Sequence, residues 1–191
     1  MSQSFLMLAS SSAARKMLLE RLQIPFKVVS PNIDETPQRN ETPENLVARL
    51  TKEKGQAVAA QFPEARIISA DQVIVVRGEA ISKPTSKEEA VQQLLNESGQ
   101  WVEALSGLGL LNTKTKDYHY ACIKTRVLFR TLSYAQIEGY LAKEPSALQA
   151  AGSLKVEGLG ISLLEKIESE DPTALIGLPL IALTKMLENA F

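Results

Sequence analysis

The segment Arg66–Val76 constrains this chain more than any other. It reads Arg-Ile-Ile-Ser-Ala-Asp-Gln-Val-Ile-Val-Val, rich in Ile and Val, and suits a strand or a strand pair. Asp71 stands near its middle. An unpaired ionised carboxylate in apolar surroundings is costly, so such a group is normally paired, bound to metal or turned toward a cleft. The structural alternative is an Asp that caps or turns the chain at a strand end.

Around this segment the pattern alternates. Phe5–Ala9 and Phe26–Ser30 read as strands, separated by a helix that Ser12 caps. Thr42 and Pro43 open a long helix that ends near Gln61. Arg77-Gly-Glu79 turns the chain back into Ala80-Ile81. Ser86-Lys-Glu-Glu89 and Ser133-Tyr-Ala-Gln136 are capping boxes for two further helices. Gln100–Leu111 and Tyr118–Phe129 read as a hairpin, Leu154–Ile167 as strand-like, and Leu178–Asn189 as a closing helix. Hairpins that interrupt a strand–helix alternation argue for an α/β fold with a mixed sheet. There is no internal repeat and no separable linker, so residues 1–191 are expected to form one domain.

Lys54 is the second residue out of place. On a helical wheel started at Leu46, Leu50, Val47, Ala57 and Val58 form the apolar stripe, and Lys54 falls within it at roughly 80°. A lysine there either snorkels or reaches a buried anion. Ser10-Ser-Ser-Ala-Ala-Arg-Lys16 is the third feature. Three hydroxyls and two cations gather at a helix N-terminus, where the dipole disfavours cations unless an anion binds. The bland alternative is a serine-capped surface helix. Ser82-Lys-Pro84 adds a cation just past a strand, and Asp34-Glu35 a second acidic cluster. Gly158-Leu-Gly160 lacks the third glycine and the following helix of a dinucleotide-binding loop.

Composition narrows the chemistry. Twenty-one Lys and Arg against 22 Asp and Glu give a net charge of −1, which argues against a general nucleic-acid binder. One cysteine excludes an intramolecular disulfide and a Cys-ligated zinc site. The only histidine, His119, lies beside a hairpin tip and reads as an exposed loop-edge residue. No run approaches the about 20 apolar residues of a membrane span. Arg15 and Lys16 follow the first apolar run rather than precede it, the wrong order for a signal peptide, so a cytoplasmic location is expected. One strand-borne carboxylate, a second acidic cluster and scattered cations suit metal-assisted attack on a phosphate ester or anhydride.

The same segments resemble the Maf family of nucleotide pyrophosphatases over nearly the whole chain. Leu8-Ala-Ser-Ser-Ser-Ala-Ala-Arg-Lys16 is similar to its N-terminal L-A-S-x-S-P-x-R-R motif. Asp34-Glu-Thr-Pro37, Lys52-Glu-Lys54, Ser69-Ala-Asp-Gln-Val73, Lys83-Pro84, Ala151–Gly158 and Ile176-Gly-Leu-Pro179 follow in the family's order. The resemblance implies a two-lobed Maf/inosine-triphosphatase-like fold, a twisted mixed sheet with flanking helices and a cleft between the lobes. It implies hydrolysis of a nucleoside triphosphate to monophosphate and diphosphate with a divalent cation, Mg²⁺ or Mn²⁺, and in many members a homodimer. Asp71 matches the proton-accepting aspartate, and Glu35 and Asp71 are the candidate metal ligands. Ser10, Arg15, Lys16, Lys54 and Lys83 are the candidate phosphate-binding residues.

Ser-Ala-Asp-Gln around Gln72 and Gly-Ser-x-Lys-x-Glu-Gly around Glu157 look like the branch that acts on 7-methyl-GTP. N7-methylation makes the guanine ring cationic, and a carboxylate can both accept from its edge and balance that charge. A surface Glu157 paired with Lys155 is the structural alternative. Ala14 replaces a tryptophan of that branch, Ala13 a proline and Lys16 an arginine, the last losing a bidentate phosphate grip. Ala14, Gln72 and Glu157 are therefore the candidate specificity positions. Two other functions stay open: the same chemistry on dTTP, UTP or a broader set of nucleotides, and a non-enzymatic nucleotide-binding regulator of cell division.

Overall fold

The computed structural model describes residues 5–188. Its strands are β1 (Phe5–Ala9), β2 (Phe26–Val29), β3 (Ala65–Val76), β4 (Glu79–Ile81), β5 (Trp101–Asn112), β6 (Tyr118–Phe129) and β7 (Leu164–Ser169). Its α-helices are α1 (Ala13–Glu20), α2 (Pro43–Ala59), α3 (Lys87–Glu97), α4 (Tyr134–Lys143) and α5 (Leu180–Glu188). Asn189, the expected end of the last helix, lies outside the described residues.

The strands form one mixed sheet in the order β2-β1-β3-β5-β6-β7, with β4 also paired to β3. β1 runs parallel to β2 and to β3, whereas β3–β5, β5–β6, β6–β7 and β3–β4 are antiparallel. The sheet is open rather than closed, with helices on both faces, which is the expected α/β class.

Two features of β3 position the site. The first is its period of two. Ala65, Ile67, Val73 and Val75 face α2, where Val47, Leu50 and Val58 are buried. Ile68 and Ala70 face the other way, onto α1 and α5 residues such as Leu18 and Leu183, and Ile74 and Val76 pack with Leu94 and Ile137 of α3 and α4. Burying each such aliphatic side chain contributes roughly 1.5–3 kcal/mol. Asp71, an odd position, is thereby directed at α2.

The second feature is a gap. β5 pairs with β3 from Arg66 to Val75, but on the opposite edge β1 stops at Ala9↔Ser69 and β4 begins only at Ile74↔Ile81. Residues 70–73 therefore lie along an open edge, with the C-terminal end of β1 on one side and the end of β4 on the other. β4 reaches that place through a two-residue turn in which Arg77 and Gly78 both have positive φ, 52° and 86°. The twist of hairpin strands demands this backbone.

The caps follow the sequence. Ser12, Thr42 and Ser133 each accept from the backbone N–H three residues on, and the Ser133–Gln136 box is complete. At α3 only half of the expected box forms. Ser86 accepts from Glu89 N–H, but the Glu89 carboxylate turns to the N–H and hydroxyl of Thr85. Leu154–Ile167 is not one strand. A 3₁₀ turn at Ala151–Ser153 precedes it, a second spans Leu159–Leu163, and β7 starts only at Leu164. The glycines are the cause: Gly158 and Gly160 N–H both fold back onto the Lys155 carbonyl, at 3.1 and 3.0 Å.

Candidate active site

Asp71 is 5% exposed and Lys54 6%, and they form an ion pair through Asp71 Oδ1. The same ammonium lies 2.9 Å from Glu35 Oε1. Of the two outcomes open to a lysine on the core face, Lys54 takes the buried anion rather than snorkelling, while Lys52 is exposed. The close fit of α2 on the sheet has a local cause. Gly107 is the ladder partner of Asp71, and a Cβ there would stand 2.3 Å from Thr51 Oγ1 and 3.2 Å from the Val47 carbonyl. Glycine at that position lets the helix approach, and Lys54 lies one turn beyond Thr51.

The loop carrying Glu35 is tied to α2 as well. Arg49 donates to Glu41 at 2.7 and 2.9 Å, to Glu53 at 3.0 Å and to the Thr36 carbonyl at 3.0 Å. The Arg49 hydrogen bond, more than any other contact, pushes the Glu41 carboxyl down to about 2. Burial opposes ionisation of Glu35, but the hydrogen bond and charge of Lys54, with Lys83 and Arg15 nearby, outweigh it and hold that carboxyl below its ordinary value.

Arg15 enters from the first turn of α1. Its Nε donates to the Gly177 carbonyl at 2.9 Å. Burial lowers its proton affinity, and the carboxylates of Asp71 and Glu35 oppose that shift. Lys16 goes elsewhere. One helical residue on, it points away from the cleft, is 55% exposed and pairs with Glu20 at 3.7 Å. Ser10 is buried, and its hydroxyl accepts from the Ser12 N–H at 3.1 Å, shaping the turn between β1 and α1. Lys83 follows β4, where Gln93 donates to the preceding Ser82 carbonyl at 3.0 Å.

One cleft of about 790 Å³ gathers Ser10, Ala14, Arg15, Glu35, Lys54, Asp71, Gln72, Lys83 and Glu157. Of the residues expected to form a site, Lys16 alone is outside it. The volume suits a nucleotide-sized ligand. Gln72 Nε2 is directed at Ser106 Oγ, the Ala174 carbonyl and the Leu175 carbonyl, at 3.0, 3.0 and 3.1 Å. It therefore fixes the turn that also presents Gly177 to Arg15. Glu157 is exposed at the rim. Lys155 is not its pairing partner: the ammonium bonds Ser146 Oγ at 2.7 Å and lies 3.7 Å from Glu144. Trp101 is covered by Arg126, 4.4 Å from its ring, and does not line the cleft. His119 is exposed on β6.

Among the described residues no group of three or more His, Cys, Asp or Glu side chains could hold a metal. Glu35 and Asp71 are joined through Lys54, which pairs with both. Sequence reasoning missed Gly107 and Arg49, and gave Gly177, inside the Ile176-Gly-Leu-Pro179 block, no role of its own. The first left a trace, a glycine inside an apolar strand, which often marks a close backbone approach.

A family model described as Maf-like protein matches residues 5–190. This chain belongs to the Maf family. Curated relatives of this Maf-family chain share its length. A "7-methyl-GTP pyrophosphatase" of Aliivibrio fischeri is 47% identical over 187 residues, 98% of this chain and 96% of the relative. Proteins of the same name from Nitrosococcus oceani and Pseudomonas aeruginosa are each 46% identical, covering 97% and 95% of this chain and 92% and 94% of their own. In this Maf protein no helix among the described residues is long and apolar enough to cross a membrane.

Proposed function

We propose that the chain hydrolyses 7-methyl-GTP to 7-methyl-GMP and diphosphate, the activity after which its relatives are named. The observation that carries the reading is the convergence of Asp71, Glu35, Lys54, Arg15 and Lys83 on one cleft at the open edge of β3. Such a set is suited to a polyphosphate and to a water that must lose a proton.

Lys54 occupies Asp71 Oδ1, which leaves Oδ2 to accept the proton of the attacking water. Water adds to the α-phosphorus, the bond to the bridging oxygen breaks, and diphosphate leaves with that electron pair. Arg15, Lys54 and Lys83 balance the charge that collects on the leaving group. The Gly177 carbonyl orients the Arg15 guanidinium for this task. The carboxylates fit a divalent cation. Glu35 and Asp71 already share one cationic group in Lys54, and Mg²⁺ is commonly held by one or two carboxylates together with substrate phosphates. Bound there, the ion supplies further neutralisation of the triphosphate.

Glu157 is the reader of the base. An unpaired rim carboxylate can accept from N1–H and the 2-amino group of guanine, and its charge complements the methylated ring. One observation favours a second, broader reading of the base: no described residue lining the cleft is aromatic, and Ala14 stands where a stacking residue would be.

The test is diphosphate release from 7-methyl-GTP, GTP, UTP and dTTP with Mg²⁺ or Mn²⁺. A preference for 7-methyl-GTP supports the reading. Equal turnover of UTP and 7-methyl-GTP favours the broad enzyme. Nucleotide-dependent thermal stabilisation without turnover favours a regulator.

A further inference from the structure

Glu157 stands on a segment without helix or strand, residues 154–158, yet it borders the cleft. Its aim depends on what holds that segment. The fastening comes from the C-terminal end of α4, where Tyr140 and Glu144 lie one turn apart on one face.

Tyr140 is 3% exposed. Its hydroxyl donates to the Ser153 carbonyl at 3.0 Å and accepts from the Lys155 N–H at 3.1 Å. Glu144 Oε1 accepts from the Ser146 hydroxyl and lies 3.7 Å from the Lys155 ammonium, and Oε2 accepts from the Leu159 N–H at 3.3 Å. Lys155 also donates to Ser146, and its carbonyl accepts from Gly158 and Gly160. Positions 153, 155 and 159 are therefore tied down on both sides of Glu157. Space is tight on both sides: a Cβ on Gly160 would stand 2.5 Å from the Lys155 carbonyl, and one on Gly158 2.3 Å from Glu144 Oε2, so the Glu144 carboxylate would have to leave its place. Hydrogen bonds from Ser146 and the Leu159 N–H keep the Glu144 carboxyl below its ordinary value, so it is charged at neutral pH.

We infer that Tyr140 and Glu144 are positioning residues for base discrimination, acting through the segment that presents Glu157. This rests on the reading of Glu157 given above. No hydrogen bond of either residue among the described residues goes to Asp71, Lys54, Arg15 or Lys83. Their loss therefore alters which base is chosen rather than how the anhydride is cut.

The experiment uses the full chain with Mg²⁺ and compares kcat/KM for 7-methyl-GTP and UTP in wild type, Tyr140→Phe, Glu144→Gln, Gly158→Ala and Glu157→Gln. Melting temperatures are recorded for each. The expected result is a fall of roughly tenfold in the 7-methyl-GTP/UTP ratio for Tyr140→Phe, Glu144→Gln and Gly158→Ala, since small misplacements of a contact group are amplified. For the first two, kcat on UTP should stay within about twofold of wild type. Parallel losses on both substrates, or an unchanged ratio, overturn the inference. If Glu157→Gln loses the preference while Tyr140→Phe and Glu144→Gln keep it, the inference falls alone. If Glu157→Gln keeps it, or wild type has none, the reading of Glu157 falls first.

Discussion

The ammonium of Lys54, on the core face of α2, is paired with the Asp71 carboxylate of β3 and lies 2.9 Å from Glu35. The polar centre of the cleft thus rests on one contact between helix and sheet. Removing Lys54 leaves Asp71 buried without its cation, and breaking such a pair costs about 3 kcal/mol. Lys54→Ala should therefore melt several degrees below wild type, whereas Asp71→Asn, which keeps an oxygen to accept from Lys54 and leaves that ammonium its Glu35 counter-charge, should melt close to it. Thermal unfolding of both variants decides this; equal melting temperatures contradict it.

The approach of α2 depends on Gly107. Gly107→Ala places a methyl 2.3 Å from Thr51 Oγ1 and 3.2 Å from the Val47 carbonyl, so the Thr51 hydroxyl must leave its hydrogen bond to Val47 and the helix must give by a few tenths of an ångström. Overpacking of this kind costs about 1–3 kcal/mol. The displacement should also draw Lys54 from Asp71 and lower kcat/KM. Adding Thr51→Ala should restore part of both, because the nearest clash is then removed. A rescue of stability without any rescue of activity would separate the two effects.

Arg15 and Lys16 are neighbours with opposite fates. Arg15→Ala should lower kcat/KM by about 100-fold, the scale of losing one charge-stabilising donor. Lys16→Ala, exposed and paired with Glu20, should change it by less than about twofold. Steady-state kinetics on the two variants suffices, and comparable losses would place Lys16 back among the phosphate contacts.

Acid should loosen the loop that carries Glu35. Glu41 titrates at about 2 in the folded chain against an ordinary 4.5, because Arg49 binds its ionised form. A depressed folded value means that the contribution is complete above about 4.5 and is lost as pH falls from there toward about 2. Nucleotide affinity measured from pH 6 to 3 should weaken in the lower half of that range. In Glu41→Gln the pH 6 affinity should be lower already, and the acid-dependent fall smaller.

Much of this was legible in the sequence, for reasons that differ by residue. Asp71 and Lys54 violate a periodic pattern, and a violation of burial logic is visible wherever the period is regular. The caps at Ser12, Thr42 and Ser133 are local chemistry and were equally plain. Lys16 was misplaced because a motif names neighbours without saying which side of the helix faces the ligand. Leu154–Ile167 reads as a strand from its apolar residues, while the turn-forming hydrogen bonds to the Lys155 carbonyl need room that only the missing side chains of Gly158 and Gly160 provide. Gly107 and Gly177 act through partners distant in the chain, and only the fold brings those partners together; Arg49 reaches Glu41, Glu53 and Thr36 close by in sequence, but no motif or periodicity marks that loop as folding back onto α2.

The role proposed for Asp71 is to activate water for attack at the α-phosphorus of a nucleoside triphosphate held in this cleft. Turnover of 7-methyl-GTP in ¹⁸O-labelled water, analysed by mass spectrometry for wild type and Asp71→Asn, tests it most directly. The label should appear in the nucleoside monophosphate, and the variant should give no product. Label in the diphosphate, or a fully active variant, would contradict it.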